Sequence, residues 1–348
     1  MNEADILDRL RSIEDPDLGG DIVDLNLVND IEIVDDEIRI SLALGAPYSP
    51  TESELARLVR EELSDLNADI HLSASIDSDL SEDEQVLPGV KNIIAVASGK
   101  GGVGKSTVAV NIAAGLANLG ATVGLFDADI YGPNIPRMIG AKEAPTATEQ
   151  GQLVPPERFG MKLMSMDFLV GKDDPVIWRG PMVHKVLTQL WEDVAWGGLD
   201  YMVIDLPPGT GDTQLTMLQT VPVTGAVIVT TPQQVAIDDA RKGLEMFGRH
   251  ETVVLGIVEN MRGFTCPDCG SEHDIFGIDG GERFAEDTEM PYLGTIPIDP
   301  AVRTGSDGGK PIVLDSERAA GQALRAITEN VANNVGVVRR RDHSRLHS

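Results

Sequence analysis

The residues best suited to chemistry lie in one glycine-rich stretch, GKGGVGKST, at residues 99–107. A short apolar run at 92–97 predicts a buried strand before it, and VAVNIAAGLANLG predicts a helix after it. Between a strand and a helix, glycines let backbone N–H groups converge on a phosphate, and the helix N-terminus adds positive potential. In such a motif Lys105 reaches the β- and γ-phosphates, and the Ser106 hydroxyl binds Mg²⁺. The predicted nucleotide-binding residues are Gly99, Lys100, Gly101, Gly102, Val103, Gly104, Lys105, Ser106 and Thr107.

Three aspartates follow predicted strands. Asp127 and Asp129 come after the apolar start of ATVGLFDADIYGPN, and Asp205 ends YMVID just before the glycine-containing loop PPGTGD. The carboxyl ends of parallel strands face the ligand crevice, where carboxylates can hold Mg²⁺ or position an attacking water. We predict that Asp205 holds Mg²⁺ through water, that Asp129 positions water and metal, and that Asp127 supports it. Together with Lys100 and Lys105, these aspartates form the predicted catalytic set.

Cys266 and Cys269 form a second candidate centre, in the sequence Cys-Pro-Asp-Cys. Three chemistries fit such a pair. It could be a redox dithiol, half of a zinc site with His273 as a third ligand, or a ligand pair for an iron–sulfur cluster. A cluster usually takes four thiolates, and a dimer with the pair on its two-fold axis would supply them. From these residues alone, all three interpretations remain open.

Several motifs resemble those of known ATPases. Lys100 within GKGGVGKS resembles the deviant P-loop of the MinD/ParA/nitrogenase-iron-protein class, and DADIYGPN, DLPPGTGD and the Cys-x-x-Cys after ENM resemble its Mrp/ApbC branch. The resemblance implies a homodimer in which Lys100 contacts the nucleotide of the partner subunit and the paired cysteines hold one bridging [4Fe-4S] cluster. It also implies that Asn260 reads the adenine edge and that Pro297 lies in the loop over the base.

The same resemblance predicts a function. We expect an ATPase that binds ATP and Mg²⁺, carries a [4Fe-4S] cluster on Cys266 and Cys269, and transfers it to target apoproteins. Hydrolysis is expected to be slow and coupled to this transfer. The alternative is a ParA/MinD-like positioning ATPase with a structural zinc at the cysteine pair.

The chain is predicted to contain two domains. Residues 1–80 have the α-β-β-α-β pattern of a small α+β domain, and DPDLGGDIVDLNLV and ALGAPYSP resemble the iron–sulfur assembly domain often fused before Mrp/ApbC ATPases. The cysteine that this family frequently carries is Ala46 here. Residues 81–90 are predicted to be an acidic linker, 91–338 an α/β P-loop ATPase domain with a doubly wound, mostly parallel sheet, and 339–348 a basic, disordered tail. Residues 179–181, Arg-Gly-Pro, are expected to begin a helix near the dimer interface.

Composition excludes several classes of partner. The net charge of −28 argues against binding to nucleic acid or to an anionic membrane. The N-terminus is polar, no apolar run approaches eighteen residues, and there are only two cysteines, so we expect a cytoplasmic protein. Nine lysines stand against nineteen arginines in this acidic chain, which predicts a halophilic, haloarchaeal source because molar salt would screen the self-repulsion.

Overall fold

The computed structural model describes residues 2–34, 37–66, 68–76, 87, 89–130, 132–168, 186 and 190–347. Contacts within the chain divide it into two units. Unit 1 comprises residues 1–81 and 332–348, and unit 2 comprises residues 82–331. The last residues of the chain therefore belong with its first residues.

The N-terminal part of unit 1 has the predicted order of elements, with one short extra hairpin. The elements are α1 Glu3–Leu10, β1 Glu14–Asp15, β2 Gly20–Asp21, β3 Val28–Val34, β4 Glu37–Leu42, α2 Pro50–Glu62 and β5 Asp69–Ala74. β3 pairs antiparallel with β4, and β4 pairs parallel with β5. Ile6 and Leu10 of α1 are buried against this sheet, together with Leu55 and Val59 of α2. An apolar face on each helix and alternating apolar residues in β4 explain this core.

Unit 2 is built on a largely parallel sheet, as predicted. Its strands are β6 Val90–Ala97, β7 Val123–Asp127, β8 Thr146–Ala147, β9 Leu153–Val154, β10 Glu157–Arg158, β11 Met161–Ser165, β12 Leu199–Asp205, β13 Gly225–Thr230, β14 Val254–Thr265, β15 Glu272–His273 and β16 Tyr292–Ile298. Its helices are α3 Lys105–Leu119, α4 Ile135–Met138, α5 Asp212–Thr220, α6 Gln234–Arg249, α7 Gly280–Asp287 and α8 Pro300–Gly308, with 3₁₀ turns at Met166–Phe168 and Ile312–Leu314.

The order of the strands brings the predicted site together. The main sheet runs β10-β11-β7-β12-β6-β13-β14, with β16 and β15 also paired to β14, while β8 and β9 form a separate hairpin. β10 and β15 pair antiparallel, and the other pairs of the main sheet are parallel. β7 and β13 are buried at every position, which is expected when both faces of a parallel sheet are covered. The strand that ends in the P-loop lies beside the strand that ends in Asp205.

Two sequence predictions about unit 2 need correction or restriction. Residues 141–182 carry no regular pattern beyond polar turns, yet β11 forms within them and pairs in parallel with β7 through the apolar segment MKLMS. Of the predicted linker 81–90, only residues 87, 89 and 90 are described; Leu87 is buried and Val90 already begins β6. The predicted helix start at 179–181 lies outside the described residues.

The prediction of a disordered tail is wrong. Residues 319–346 form one helix, α9, and its last turns belong to unit 1. Arg340 is fully buried there and donates to Asp15 Oδ2 (2.6 Å), Asp17 Oδ2 (2.8 Å) and Glu52 Oε1 (3.1 Å). A basic run is ordinarily solvated, but these carboxylates match the charge of one of its arginines and fix the helix in place. Among the described residues, no helix is both long and apolar enough to cross a bilayer.

Candidate functional site

The P-loop is positioned by close backbone packing at both of its ends. Gly104 has φ +89° and precedes α3, and a Cβ at this position would lie 2.1 Å from Asn260 Nδ2. A Cβ at Gly99 would lie 2.1 Å from the Asp239 carbonyl carbon in α6. Side chains at these two positions would push the loop away from β14 and from α6. The glycines therefore fix the loop against its neighbours as well as leaving its N–H groups accessible.

Lys105 and Ser106 both contact the same buried carboxylate. Lys105 Nζ donates to Asp205 Oδ1 at 2.6 Å, and Ser106 Oγ donates to Asp205 Oδ2 at 2.5 Å. Asp205 is fully buried and Lys105 nearly so. Burial raises the pKa of Asp205, while Lys105 and Ser106 act in the opposite direction. The three residues predicted to serve phosphate and Mg²⁺ thus lie in contact.

Sheet register aligns two further polar groups with Asp205. In the pairing of β12 with β7, Asp205 lies opposite Asp127, and in the pairing of β11 with β7, Ser165 lies opposite Asp127. Asp127 Oδ2 accepts from Ser165 Oγ (3.0 Å) and from the Ile135 N–H (3.1 Å) at the start of α4. Burial, and then the charge of Asp205, raise the pKa of Asp127 to about 7. Two buried carboxylates therefore share one buried lysine.

Asp129 is less buried than Asp127. It is half-buried, its backbone N–H donates to Asp127 Oδ1 at 3.3 Å, and its Oδ1 accepts from the Gly132 N–H at 3.2 Å. Its negative charge also raises the pKa of Asp205, which places it within electrostatic reach of the site. Asp127 accepts from the backbone at the start of α4, whereas Asp129 is only half-buried; the predicted division between support and water positioning stays a prediction.

A cavity of about 520 Å³ opens beside the P-loop, within the size range of small-molecule sites. The start of α3 forms one wall, through Gly104, Ser106 and Thr107. α4 and α8 form a second wall, and β14 and β16 contribute Asn260 and Pro297. The lining residues also include Asn134, Arg137, Met138, Met261, Phe276, Ile298, Asp299, Val302, Arg303, Ser306 and Asp307.

Asn260 and Pro297 both line this cavity, where a base would be expected. Asn260 is buried; its Nδ2 donates to the Val103 carbonyl at 2.8 Å, and its Oδ1 accepts from the Met261 N–H at 2.9 Å. The amide therefore ties β14 to the P-loop. It retains a second N–H and a second lone pair for a ligand.

Lys100 is half-buried in the P-loop but is not among the described residues that line the cavity. Its carbonyl accepts from Ser98 Oγ at 3.0 Å. Its predicted role in a partner subunit's site stays a prediction.

The cysteines lie on an excursion that extends β14. Cys266 is half-buried and Cys269 is exposed, both as free thiols. The Gly270 N–H donates to the Cys266 carbonyl at 2.9 Å, and Ser271 Oγ lies 3.3 Å from Cys269 Sγ. Hydrogen bonds from Ser271 lower the pKa of the Cys269 thiol, which favours the thiolate that binds metal.

Comparison with known proteins settles the family. The model described as NUBPL iron-transfer P-loop NTPase matches residues 89–332, and the model described as iron-sulfur cluster assembly protein matches residues 3–71. The chain belongs to the NUBPL iron-transfer P-loop NTPase family. This confirms the resemblance seen in the motifs and the predicted α/β P-loop fold.

Relatives of this chain cover nearly its whole length. It is 44% identical to an iron-sulfur cluster carrier protein of Synechocystis sp. over 343 residues, which are 95% of this chain and 97% of the relative. It is 40% identical over 330 residues to the protein of that name in Escherichia coli K12, covering 93% and 89% of the two chains. These comparisons give no support to the expected salt-rich source, which stays a prediction.

Solved structures match about two thirds of the chain. A nucleotide-binding protein from Archaeoglobus fulgidus, in complex with ADP, is 38% identical with a TM-score of 0.59 over 68% of this chain and 94% of that one. The cell division ATPase MinD from Pyrococcus furiosus is 23% identical with a TM-score of 0.53, over 70% and 98%. The second match shows the shared fold alone.

The structural zinc considered from the sequence stays a prediction. Across the parts of the chain that the structure describes, no three His, Cys, Asp or Glu side chains come together as a metal site. His273, the third ligand considered from the sequence, pairs its backbone with Phe264 in the β14–β15 ladder. The cysteine pair is thus left with two ligands from its own chain among the described residues.

Some residues of the site carry no motif that would reveal them in the sequence. Ser165 bonds Asp127 only because β11 aligns with β7, and β11 lies in a segment that reads as irregular. Arg137 and Arg303 reach the cavity because α4 lies against α8. The apolar segment MKLMS is the one signal that could have indicated β11.

Proposed function

We propose that this chain is an ATP-hydrolysing carrier that holds a [4Fe-4S] cluster between two copies of itself and transfers it to apoproteins in the cytoplasm. One observation carries this proposal. The accessible thiols of Cys266 and Cys269 extend from β14, the same strand that places Asn260 in the nucleotide cavity. A single strand thereby serves both the predicted nucleotide and the predicted cluster.

The nucleotide half of the proposal rests on Lys105, Ser106 and Asp205. ATP phosphates would replace Asp205 as the partner of Lys105, and the backbone N–H groups of the P-loop would bind the same phosphates. Ser106 and Asp205 would hold Mg²⁺, which supplies positive charge to the phosphates during phosphoryl transfer. Asn260 would read the base through its amide, with Pro297 beside it.

Hydrolysis then depends on positioning rather than on covalent catalysis. Asp129, a half-buried carboxylate within electrostatic reach of Asp205, would orient the attacking water. Asp127 fixes the backbone that carries Asp129, because it accepts from the Ile135 N–H at the start of α4. Lys100 would neutralise developing charge in the site of the partner subunit, as an arginine finger does.

The cluster half of the proposal rests on the number of thiolates. A [4Fe-4S] cluster is ordinarily held by four cysteines, and this chain has only Cys266 and Cys269. A homodimer with a two-fold axis at the cysteine pair supplies the other two. Unit 1 has no thiol to offer, since Ala46 stands where its family frequently has cysteine. The cluster is cargo in this scheme, and its acceptors are apoproteins.

The test is anaerobic reconstitution of the full chain with iron and sulfide. We expect about two irons and two sulfides per chain, in a particle with the mass of a dimer. Cys266→Ala should lose both, whereas Ile275→Ala, a change at an exposed position of the same segment, should keep them. The loaded protein should then restore activity to an apo-enzyme that needs a [4Fe-4S] cluster. Zinc without sulfide, or a monomer unaffected by Cys266→Ala, would refute the carrier proposal.

A further inference from the structure

The residues between β14 and α7 form an arm that leaves the nucleotide cavity and returns to it. We define the cysteine arm as residues 261–279. Met261, near its start, and Phe276, near its end, both line the cavity that Ser106 and Thr107 also line. Cys266 and Cys269 lie between these two contacts in the chain. The thiols are thus connected to the nucleotide site on both sides.

The start of the arm is strained. Met261 has φ +63°, a left-handed conformation that costs free energy for a long side chain without a local hydrogen bond of its own. The pairing of β14 with β16 shifts register between Asn260 and Phe264, at the same place. The Met261 N–H is held by Asn260 Oδ1 at 2.9 Å. Strain of this kind, confined to a cavity wall, marks a point where the backbone can change direction.

The far end of the arm is held in the cavity by one side chain. Residues 271–278 are all described, and Phe276 alone among them is not exposed. Arg262 pairs with Asp279 and so joins the two ends of the arm, and the Gly281 N–H, just after the arm, donates to buried Glu259 in β14. The root is therefore fixed, and Phe276 is the arm's apolar contact with the cavity.

The part of the arm that bears the cysteines is internally bonded. The Cys266 N–H donates to the Ser271 carbonyl at 2.9 Å, and β15 pairs antiparallel with the end of β14. Because the arm is internally bonded, we expect a displacement of Phe276 to move the loop of Cys266 and Cys269 as well.

From these contacts we infer that a nucleotide in the cavity holds the cysteine arm in one orientation by packing against Met261 and Phe276. This inference rests on the proposed function, because it takes the cavity as the nucleotide site and the thiols as the cluster ligands. Met261 and Phe276 are positioning residues in this scheme. Cys266 is half-buried, so we expect its access to reagents to depend on the orientation of the arm more than that of the exposed Cys269.

The test measures how fast iodoacetamide alkylates each thiol in the full chain, reduced and free of iron, with and without Mg·ADP. Mass spectrometry of the digested protein separates Cys266 from Cys269. In the native chain, saturating ADP should slow alkylation of Cys266 by about fivefold, at the lower end of ordinary coupling between two sites. Cys269 should change less and serves as the internal reference.

Phe276→Ala should weaken ADP binding, measured by calorimetry, and at ADP concentrations that saturate the variant it should reduce the protection of Cys266 to less than about twofold. Met261→Gly, which accepts the left-handed backbone without strain, provides a second variant with the same expected loss of protection. Ile278→Ala is the matched control, because Ile278 lies in the same arm, is exposed and does not line the cavity. It should keep the full protection.

The inference is overturned if ADP leaves the alkylation of Cys266 in the native chain unchanged or faster. It is also overturned if both variants bind ADP and keep full protection. Failure of the proposed function has a different signature, because iron loading and transfer are measured separately. If ADP protects Cys266 but the chain does not load a cluster, the carrier function is refuted and the inference about the cysteine arm stands. If the chain transfers a cluster but ADP does not protect Cys266, the inference about the arm is refuted and the carrier function stands.

Discussion

The molecule contains two buried clusters of charge, one in each unit, and they are built differently. In unit 1, Arg340 binds Asp15, Asp17 and Glu52. In unit 2, Lys105 binds Asp205 with Asp127 alongside. Both clusters pair one cation with more than one carboxylate. They differ in what else reaches those carboxylates.

Backbone N–H groups complete the cluster of unit 1. Asp15 Oδ1 accepts from the Asp17 and Leu18 N–H groups, and Glu52 accepts from the Gly45 and Ala46 N–H groups. Arginine also presents a planar set of donors that matches several carboxylates at once. Backbone N–H dipoles thus stabilise the negative charge that Arg340 does not neutralise. The cluster of unit 1 is therefore structural.

The cluster of unit 2 is connected to a cavity through Ser106, which bonds Asp205 and lines the cavity. Asp205 has only Lys105 and Ser106 as bonded partners among the described contacts, and the pKa of Asp127 is raised to about 7. A second cation would relieve the repulsion between these two carboxylates, and Mg²⁺ is the cation that such oxygens prefer. The comparison shows that similar buried charges can stabilise a fold or form a binding site. The outcome depends on whether groups of the protein itself neutralise and hydrogen-bond all the carboxylates.

The largest expected effect comes from removing the cation of unit 2. Lys105→Ala should lower ATP turnover by about 100-fold or more, because the phosphates lose their main charged donor. Steady-state phosphate release measures it. Lys91→Ala is the matched control, since Lys91 is an exposed lysine of the same sheet, paired with Asp200. Turnover in Lys105→Ala equal to that of this control would contradict the assignment.

Removing the cation of unit 1 should affect stability and spare turnover. Arg340→Ala leaves buried carboxylates without their partner, and breaking such a pair costs about 3–5 kcal/mol. Urea unfolding of the full chain, followed by limited proteolysis of residues 1–80, measures the loss. Arg341→Ala, at the exposed neighbouring position, should cost far less. If Arg340→Ala instead abolished turnover and left stability intact, the two clusters would have exchanged roles.

A subtler change removes the surplus carboxylate of unit 2. A carboxyl whose pKa is raised to about 7 by folding binds a proton that the unfolded chain releases near pH 4. The folded state therefore loses stability as pH rises through that window. Asp127→Asn removes this loss. The free energy of unfolding of the variant, relative to that of the native chain, should therefore increase between about pH 5 and pH 8. Glu192→Gln, an exposed change, should show no such trend, and a constant difference for Asp127→Asn would disprove the raised pKa.

The smallest expected effect is that of salt, which should act on the exposed charges of the surface and little on the two buried clusters. Salt screens exposed charges more than buried ones, and the chain carries a net charge of −28. The unfolding midpoint of the native chain should therefore rise between low and molar KCl, whereas the stability difference between native and Arg340→Ala should change little. A midpoint that does not rise with salt would count against the halophilic source predicted from composition.

How far the sequence predicts these features depends on the distance over which they are encoded. The P-loop from Gly99 to Thr107 is local, so its residue types and spacing were sufficient, and the strand ending in Asp205 was found from its apolar run. The sequence does not predict the cavity wall made by α4 and α8, because only tertiary packing brings Arg137 and Arg303 to the same cavity. Arg340 was missed for the same reason: its partners lie 288 to 325 residues earlier in the chain.

The cysteine pair lies between these extremes. Its spacing was evident, but its ligand was open until the resemblance and the family match favoured iron–sulfur transfer. The strain at Met261 and the contact of Phe276 with the cavity have no sequence signature, because φ angles and cavity walls depend on the register of β14 with β16.

The last turns of α9 impose an order on synthesis. Arg340, which completes the cluster of Asp15, Asp17 and Glu52, is synthesised 325 residues after Asp15. Domains generally fold as they are synthesised, from the N-terminus onward. Unit 1 is an exception, because its three carboxylates lack their cation until those 325 residues have been made. A ribosome that stalls within unit 2 would therefore release a chain whose first domain is unfinished, which exposes incomplete molecules to proteolysis from their N-terminal end.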